Sequence, residues 1–315
     1  MPDAIPVIDL RDDSRDIARA VDRACAEWGF FHAIGHGLPL PDLNQALLAM
    51  RTFFALPTDE KRRIERTAEN AWGFFDRELT KNRRDWKEIF DVGPAIDDGD
   101  LAGSRPQWPG GVPIFRARIE RLYGAFEGIA KSVLATIGEN LGNAAAVGAA
   151  CGASHTSFLR LNYYPLCADP ARPDAAFLPE RGELGIHPHT DAGALTVLLQ
   201  DENAALQVYR DGAWHLVQPR PDSLVINIGD VVQVWSNDRY RAALHRVLAN
   251  TQVARYSAAF FLNPSSDAVY APLVAADARY RPIRWAEFRA ARAAGDYADI
   301  GEEVQISHYR VSGGA

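Results

Sequence analysis

Residues 184–199 read LGIHPHTDAGALTVLL and hold two strand-like runs, 184–190 and 193–199, parted by Asp191 and Ala192. In an extended strand, residues i and i+2 project from the same face. His189 and Asp191 would therefore direct an imidazole and a carboxylate at a common point. His187 shares that face with His189 and is a rival ligand. His189 is preferred because it alone lies two residues from a carboxylate.

The period of two continues outward from this stretch. Segments 157–164, 205–209, 213–217, 223–228, 231–235, 244–249 and 255–262 also read as short strands, with Asp211-Gly212 as a hairpin turn between two of them. Many short strands at close spacing indicate a β-sandwich or jelly roll. Upstream the pattern is mixed. Residues 5–10 form a short apolar strand, 14–28 are helical, and Phe30, Phe31 and Ile34 resume as a strand before the Gly35-His36-Gly37 turn. Residues 41–55 are helical again, and Pro57-Thr58-Asp59-Glu60 opens another helix. Residues 93–111 read as a loop. From Pro113 the apolar residues Phe115, Ile119, Leu122, Phe126, Ile129, Val133, Ile137 and Leu141 recur at helical spacing until Gly142, a stripe that belongs to the core. Residues 282–293 form a final helix. The expected organisation is an N-terminal α/β region (1–112), a long backing helix and connection (113–153), a catalytic β core (154–265), and a C-terminal helix and tail (266–315) that folds over the site as a lid.

Composition narrows the functional classes. The 315 residues are 47% hydrophobic and 24% charged, ordinary for a globular chain with a sizeable core. A net charge of −7 without runs of like charge argues against nucleic-acid and anionic-membrane partners. No stretch approaches the roughly 18 apolar residues of a membrane span, and the start, MPDAIPVIDL, lacks the features of a secretory signal. Three scattered cysteines, Cys25, Cys151 and Cys167, suggest reduced thiols in a cytoplasmic protein. A monomer acting on a small molecule is expected.

The chemistry concentrates in three places. His245, in LHRV, offers a second imidazole. Two histidines and one carboxylate on one side of a metal leave its other positions open, as non-haem iron(II) oxygenases require. Ten residues later, Arg255 and Ser257 share a strand face, and a guanidinium fork beside a hydroxyl suits bidentate capture of a carboxylate. Upstream, Arg160, Asn162 and Tyr164 share another face, which Pro165 ends.

These residues, in this order, resemble the isopenicillin-N-synthase-like branch of the iron(II)- and 2-oxoglutarate-dependent dioxygenases. The likeness runs through nearly the whole chain: IPVIDL, EWGFFHAIGHGL, FFALPTDEK, DWKEIFDVGP, NYYP, HPHTDAGALTVLLQ, ALQVYRDGAWHLVQP, VINIGDVVQVWSNDRYRAALHRV and RYSAAFFLNP. It implies a distorted double-stranded β-helix (jelly roll) core with flanking helices, mainly β. It places iron(II) on His189, Asp191 and His245. It places the far carboxylate of 2-oxoglutarate on Arg255 and Ser257, assisted by Tyr164 and Asn162. The implied reaction consumes O2, releases succinate and CO2, and hydroxylates, desaturates or cyclises a small-molecule substrate. The sequence departs from many plant relatives after NYYP, where Leu166-Cys167-Ala168-Asp169 and the insertion Pro170–Arg181 follow.

Phe261 shares the inward face of Arg255 and Ser257 and is a candidate substrate contact. Arg160 either meets an anionic substrate group or sits in a buried ion pair supporting the barrel. Phe75 and Arg77, with Phe74, Lys81, Arg83 and Arg84, lie in a segment that covers the site in relatives. His308, Tyr309 and Arg310 are the lid candidates. Two alternatives stay open. One is a same-fold iron oxidase that does not consume 2-oxoglutarate, since an R-x-S pair also serves other carboxylates. The other is a zinc-type metal hydrolase using the same three ligands.

Overall fold

The computed structural model describes residues 4–97, 99–152, 154–174, 179, 181–274 and 277–311. Eight strands form one sheet in the order Val7–Asp9, Phe30–Ile34, Leu224–Ile228, Leu195–Gln200, Arg255–Leu262, Phe158–Tyr164, Glu88–Val92 and Gly73–Phe75. Four more form a second sheet in the order Ala213–Leu216, Leu206–Arg210, His245–Leu248 and Leu184–His189. The two sheets are the double-stranded β-helix that the resemblance implies.

The large sheet is buried on both faces, and its sequence shows why. Along Arg255–Leu262, the residues Arg255, Ser257, Ala259 and Phe261 line an internal cavity. The intervening Ala258, Phe260 and Leu262 enter the main apolar core. Leu159 and Leu161 obey the same alternation on the neighbouring strand, as do Val197 and Leu199 on the other side. That core is closed by Leu40–Phe54 and by the 28-residue helix Pro113–Asn140. Phe53 stacks on Phe115 with ring centroids 4.9 Å apart, and Phe126 and Ile137 are fully buried beneath the sheet. Truncating one such ring to alanine costs about 3–5 kcal/mol. A smaller cluster, including Trp28, Phe30, Tyr164, Val208 and Val247, packs the far end of the barrel interior.

Three expectations need correction. Residues 231–235 are not a strand: Asp230–Trp235 is a short helix. A buried apolar run carries no period to tell the two apart, and Gly229, just ahead of it, leaves no room for a Cβ, which would lie 2.2 Å from the Gly193 carbonyl. The final helix is Trp285–Ala294, preceded by the two-residue strand Ile283–Arg284. The named tail residues do not cover the site. Tyr309 packs edge-on against Phe288, Arg310 bonds Asp238 and Tyr280, and His308 faces Glu302. The buried Asp238 carboxylate draws Arg310 away from the cavity, and Asp296, Tyr297 and Glu303 are the residues after the final helix that line it. Residues 312–315 of the tail and 175–178 and 180 of the insertion lie outside the described residues.

Candidate active site

His189 and His245 face each other across the antiparallel pair of the small sheet, with ring centroids 4.3 Å apart. Asp191 reaches the same point from the bend after the strand end, not from the strand itself. Its Oδ1 lies 3.7 Å from His189 Nε2 and 3.6 Å from His245 Nε2. Among the described residues this is the one group of three donors, all within 4.8 Å of one another, with the spacing to hold a metal ion.

The surroundings fix which atoms face the centre. His189 Nδ1–H donates to the His187 carbonyl at 2.8 Å, and His245 Nδ1–H donates to the Ala243 carbonyl at 3.0 Å. Each ring therefore turns an unprotonated Nε2 inward. Asp191 Oδ2 accepts from Thr196 Oγ1 at 2.5 Å and from Asn227 Nδ2 at 2.7 Å, which leaves Oδ1 for a metal. Burial, then the neighbouring His245 ring, push the His189 pKa down to about 3, so it stands neutral and ready to ligate. Burial pushes the Asp191 carboxyl up, but the two imidazoles and its two hydrogen bonds outweigh this and hold it ionised below the usual range. Two imidazole nitrogens and one carboxylate on one side fit iron(II) with open positions opposite.

His187 is excluded as a ligand by a β-bulge. His245 pairs with His189, but Val247 pairs with Ile186, so the strand Leu184–His189 carries one extra residue between those pairs. Pro188, which has no N–H to give the ladder, lies in that interval. The alternation reverses there. Ile186 lines the cavity, while His187 turns away and bonds Asp85 through Nδ1 at 3.0 Å.

Arg255 and Ser257 stand in the same cavity, opposite Tyr164 and Asn162 in the strand register. The Arg255 guanidinium lies over the Tyr164 ring at 5.0 Å, donates to Ser257 Oγ at 3.4 Å and to Gln200 Oε1 at 3.1 Å. Asn162 Nδ2 reaches Ser257 Oγ at 3.5 Å. Asn162 Oδ1 and Gln200 Nε2 are buried here without partners. Either amide exchanges donor for acceptor on turning over, so the corner has polar atoms waiting for a ligand.

The wall beside this corner is charged. Arg160 bonds both Asp91 oxygens at 2.8 Å and also Glu78, so it is the buried ion pair of the barrel while still lining the cavity. Phe261 lines the cavity as expected, stacked near Phe158 at 4.9 Å. Arg77 and Phe75 do not. Arg77 is half exposed and paired with Glu65 and Asp76, whose carboxylates hold it on the outer surface. Phe75 sits one layer behind the wall, between Arg66 and Tyr297. The residues that escaped the sequence reading are Thr196, Asn227, Glu78, Lys87, Asp91 and Asp296. Thr196 and Asn227 share strand faces with other inward residues, a signal that was present. The others lie in stretches too short or irregular for periodicity to place.

A jelly roll holding two histidines and a carboxylate at one open centre, with an arginine in the same cavity, defines the class of non-haem metal oxygenases. Residues 155–264 match the 2OG-Fe(II) oxygenase superfamily, and residues 5–111 match the family described as non-haem dioxygenase in morphine synthesis N-terminal. Jasmonate-induced oxygenase 4 of Arabidopsis thaliana is 34% identical over 302 residues, spanning 90% of this chain and 81% of that relative. The crystal structure of JOX2 in complex with 2OG, Fe and JA superposes with a TM-score of 0.81 at 29% identity, covering 98% of this chain and 89% of that one. The rice dioxygenase for auxin oxidation superposes with a TM-score of 0.72 at 28% identity, covering 98% and 100%. The chain belongs to the 2OG-Fe(II) oxygenase superfamily and is an iron(II)- and 2-oxoglutarate-dependent dioxygenase.

Proposed function

We propose that His189, Asp191 and His245 hold the iron(II), and that Arg255 and Ser257, with Tyr164 and Asn162 beside them, hold the far carboxylate of 2-oxoglutarate. The observation that carries this reading is the paired fixing of both imidazole tautomers by backbone carbonyls, which aims two lone pairs and Asp191 Oδ1 at one point. When bound, iron and 2-oxoglutarate supply the oxidising chemistry, in which O2 is consumed, succinate and CO2 leave, and a substrate C–H bond is oxidised. The chain's own residues orient the reactants. The Arg255 fork sets the keto-acid end towards the three ligands. Thr196 and Asn227 keep one Asp191 oxygen occupied and the other free. Phe261, Phe158 and Trp72 line the cavity of about 260 Å³ and exclude water around the substrate.

The substrate is a small molecule that fits this cavity, and the protein acts as a monomer in the cytoplasm, the compartment being supported by its three buried free thiols. No helix among the described residues is long and apolar enough to cross a membrane. Membership of an iron oxygenase family removes the zinc-hydrolase alternative. The test is succinate formation from 2-oxoglutarate by the iron-loaded protein, with Asp191→Ala and Arg255→Ala beside it. Succinate from the wild type and at least about tenfold less from both variants is expected. Oxygen consumption without succinate would favour the 2-oxoglutarate-independent oxidase.

A further inference from the structure

The charged wall facing the iron ligands is self-contained. Arg66 bonds Asp91 and Glu78, Arg160 bonds the same two carboxylates, and Lys87 bonds Glu78 at 2.6 Å and Asp85 at 3.0 Å. Three cations thus meet three carboxylates, Glu78, Asp85 and Asp91, all deeply buried. The remaining arginines of the wall are engaged elsewhere. Arg289 is paired with Asp100. Arg292 donates to the carbonyls of Thr190 and Val304 and to Gln305 Oε1, and it faces the buried Asp230.

Two acids line the same cavity outside this network and the iron ligands, Glu303 and Asp296. Asp296 follows the C-terminal helix and lines the same cavity. Its backbone carbonyl accepts from Leu79, but no hydrogen bond or ion pair from any described residue reaches its side chain. Asp296 is therefore a carboxyl of the cavity with no cation bonded to it among the described residues. The same cavity also holds an aromatic group: Trp72 stacks on Phe158 at 5.6 Å, Phe261 lies tilted against Phe158 at 4.9 Å, and the Arg160 guanidinium lies over the Phe158 ring at 5.6 Å.

We propose that the substrate is a small amine whose protonated nitrogen pairs with Asp296 while its apolar body lies against Trp72, Phe158 and Phe261. The proposal rests on the assignment of this cavity as the oxygenase active site. Burial and the nearby Glu78 push the Asp296 pKa up to about 7, so a free cation arriving beside it stabilises the ionised form. An anionic substrate meets arginines whose terminal nitrogens are already bonded, with only the Nε donors of Arg66 and Arg289 left without partners and Arg292 held by neutral oxygens. A cation gains both the Asp296 carboxylate and the Trp72 and Phe261 rings beside it.

The experiment uses the protein loaded anaerobically with iron(II) and 2-oxoglutarate. The visible charge-transfer band of that complex is recorded first, and its absence would fail the active-site assignment itself rather than the amine proposal. Benzylamine, benzyl alcohol and benzoate are then titrated in, followed by perturbation of the band and by calorimetry. Benzylamine should bind at least about tenfold tighter than benzyl alcohol, with benzoate weakest. Asp296→Asn should remove the advantage of the amine over the alcohol. Benzoate binding as well as benzylamine, failure of benzylamine to bind at millimolar concentration, or an amine preference that persists in Asp296→Asn would each overturn the proposal.

Discussion

Thr196 Oγ1 donates to Asp191 Oδ2 at 2.5 Å from the strand that follows the carboxylate's own bend. With Asn227 on the other side, it leaves Oδ1 as the free oxygen facing both imidazoles. Outer partners of this kind govern how well a ligand is held, and losing one typically costs about 10–100-fold in metal affinity. Thr196→Val keeps the shape and removes the donor. Its iron(II) dissociation constant should rise by that factor in an equilibrium titration, and an unchanged constant would show that the bond is incidental.

Arg160 and Arg77 should separate cleanly in stability. Arg160→Met leaves Asp91 and Glu78 buried and short of a cation, a loss worth about 3–5 kcal/mol. Arg77→Met breaks pairs on the exposed surface and should cost less than about 1 kcal/mol. Urea denaturation midpoints measure both, and equal shifts would contradict the placement of Arg160 in a dry ion network.

His32 supplies a pH test away from the metal ligands. Burial first, then Arg220, lower its pKa from 6.5 to about 4 in the folded chain, while its Nδ1 meets Ser223 Oγ at 3.1 Å. The unfolded chain therefore binds the extra proton first on acidification. The contribution of the neutral ring is complete above pH 6.5 and is lost as pH falls through about 4. The stability gap between wild type and His32→Asn should shrink by up to about 1.4 kcal/mol per pH unit across that window. A gap independent of pH would refute the assignment.

Gly229 tests the bend that carries Asp191. A Cβ there would sit 2.2 Å from the Gly193 carbonyl and 2.8 Å from the Asp191 carbonyl, both backbone atoms that cannot swing aside. Gly229→Ala should therefore weaken iron binding at least about tenfold and lower the unfolding midpoint, because overpacking typically costs about 1–3 kcal/mol. Wild-type iron affinity in that variant would mean the bend yields without moving the ligand.

The Arg255 corner was legible because period-two alternation tells which side chains share a strand face, whereas His189, Asp191 and His245 were singled out together by the resemblance. The same rule misplaced His187: it cannot see a bulge, and the extra residue between Ile186 and His189 reverses the faces. Residues 231–235 failed for a related reason, since Val231, Val232, Val234 and Trp235 are buried all round and a uniformly apolar run has no period. The ion network was out of reach. Arg66, Glu78, Lys87, Arg160 and Asp296 come from five separate segments, and only the folded chain shows which of these charges pair.

The most direct test is an anaerobic titration of the purified protein with iron(II) and 2-oxoglutarate, read by the metal-to-ligand charge-transfer band. The wild type should develop the band with saturable dependence on both. His245→Ala and Asp191→Ala should lose it, and Arg255→Ala should form it only at 2-oxoglutarate concentrations at least about tenfold higher, with iron affinity retained. A band of full intensity in His245→Ala or Asp191→Ala would show that the ferrous ion is bound elsewhere.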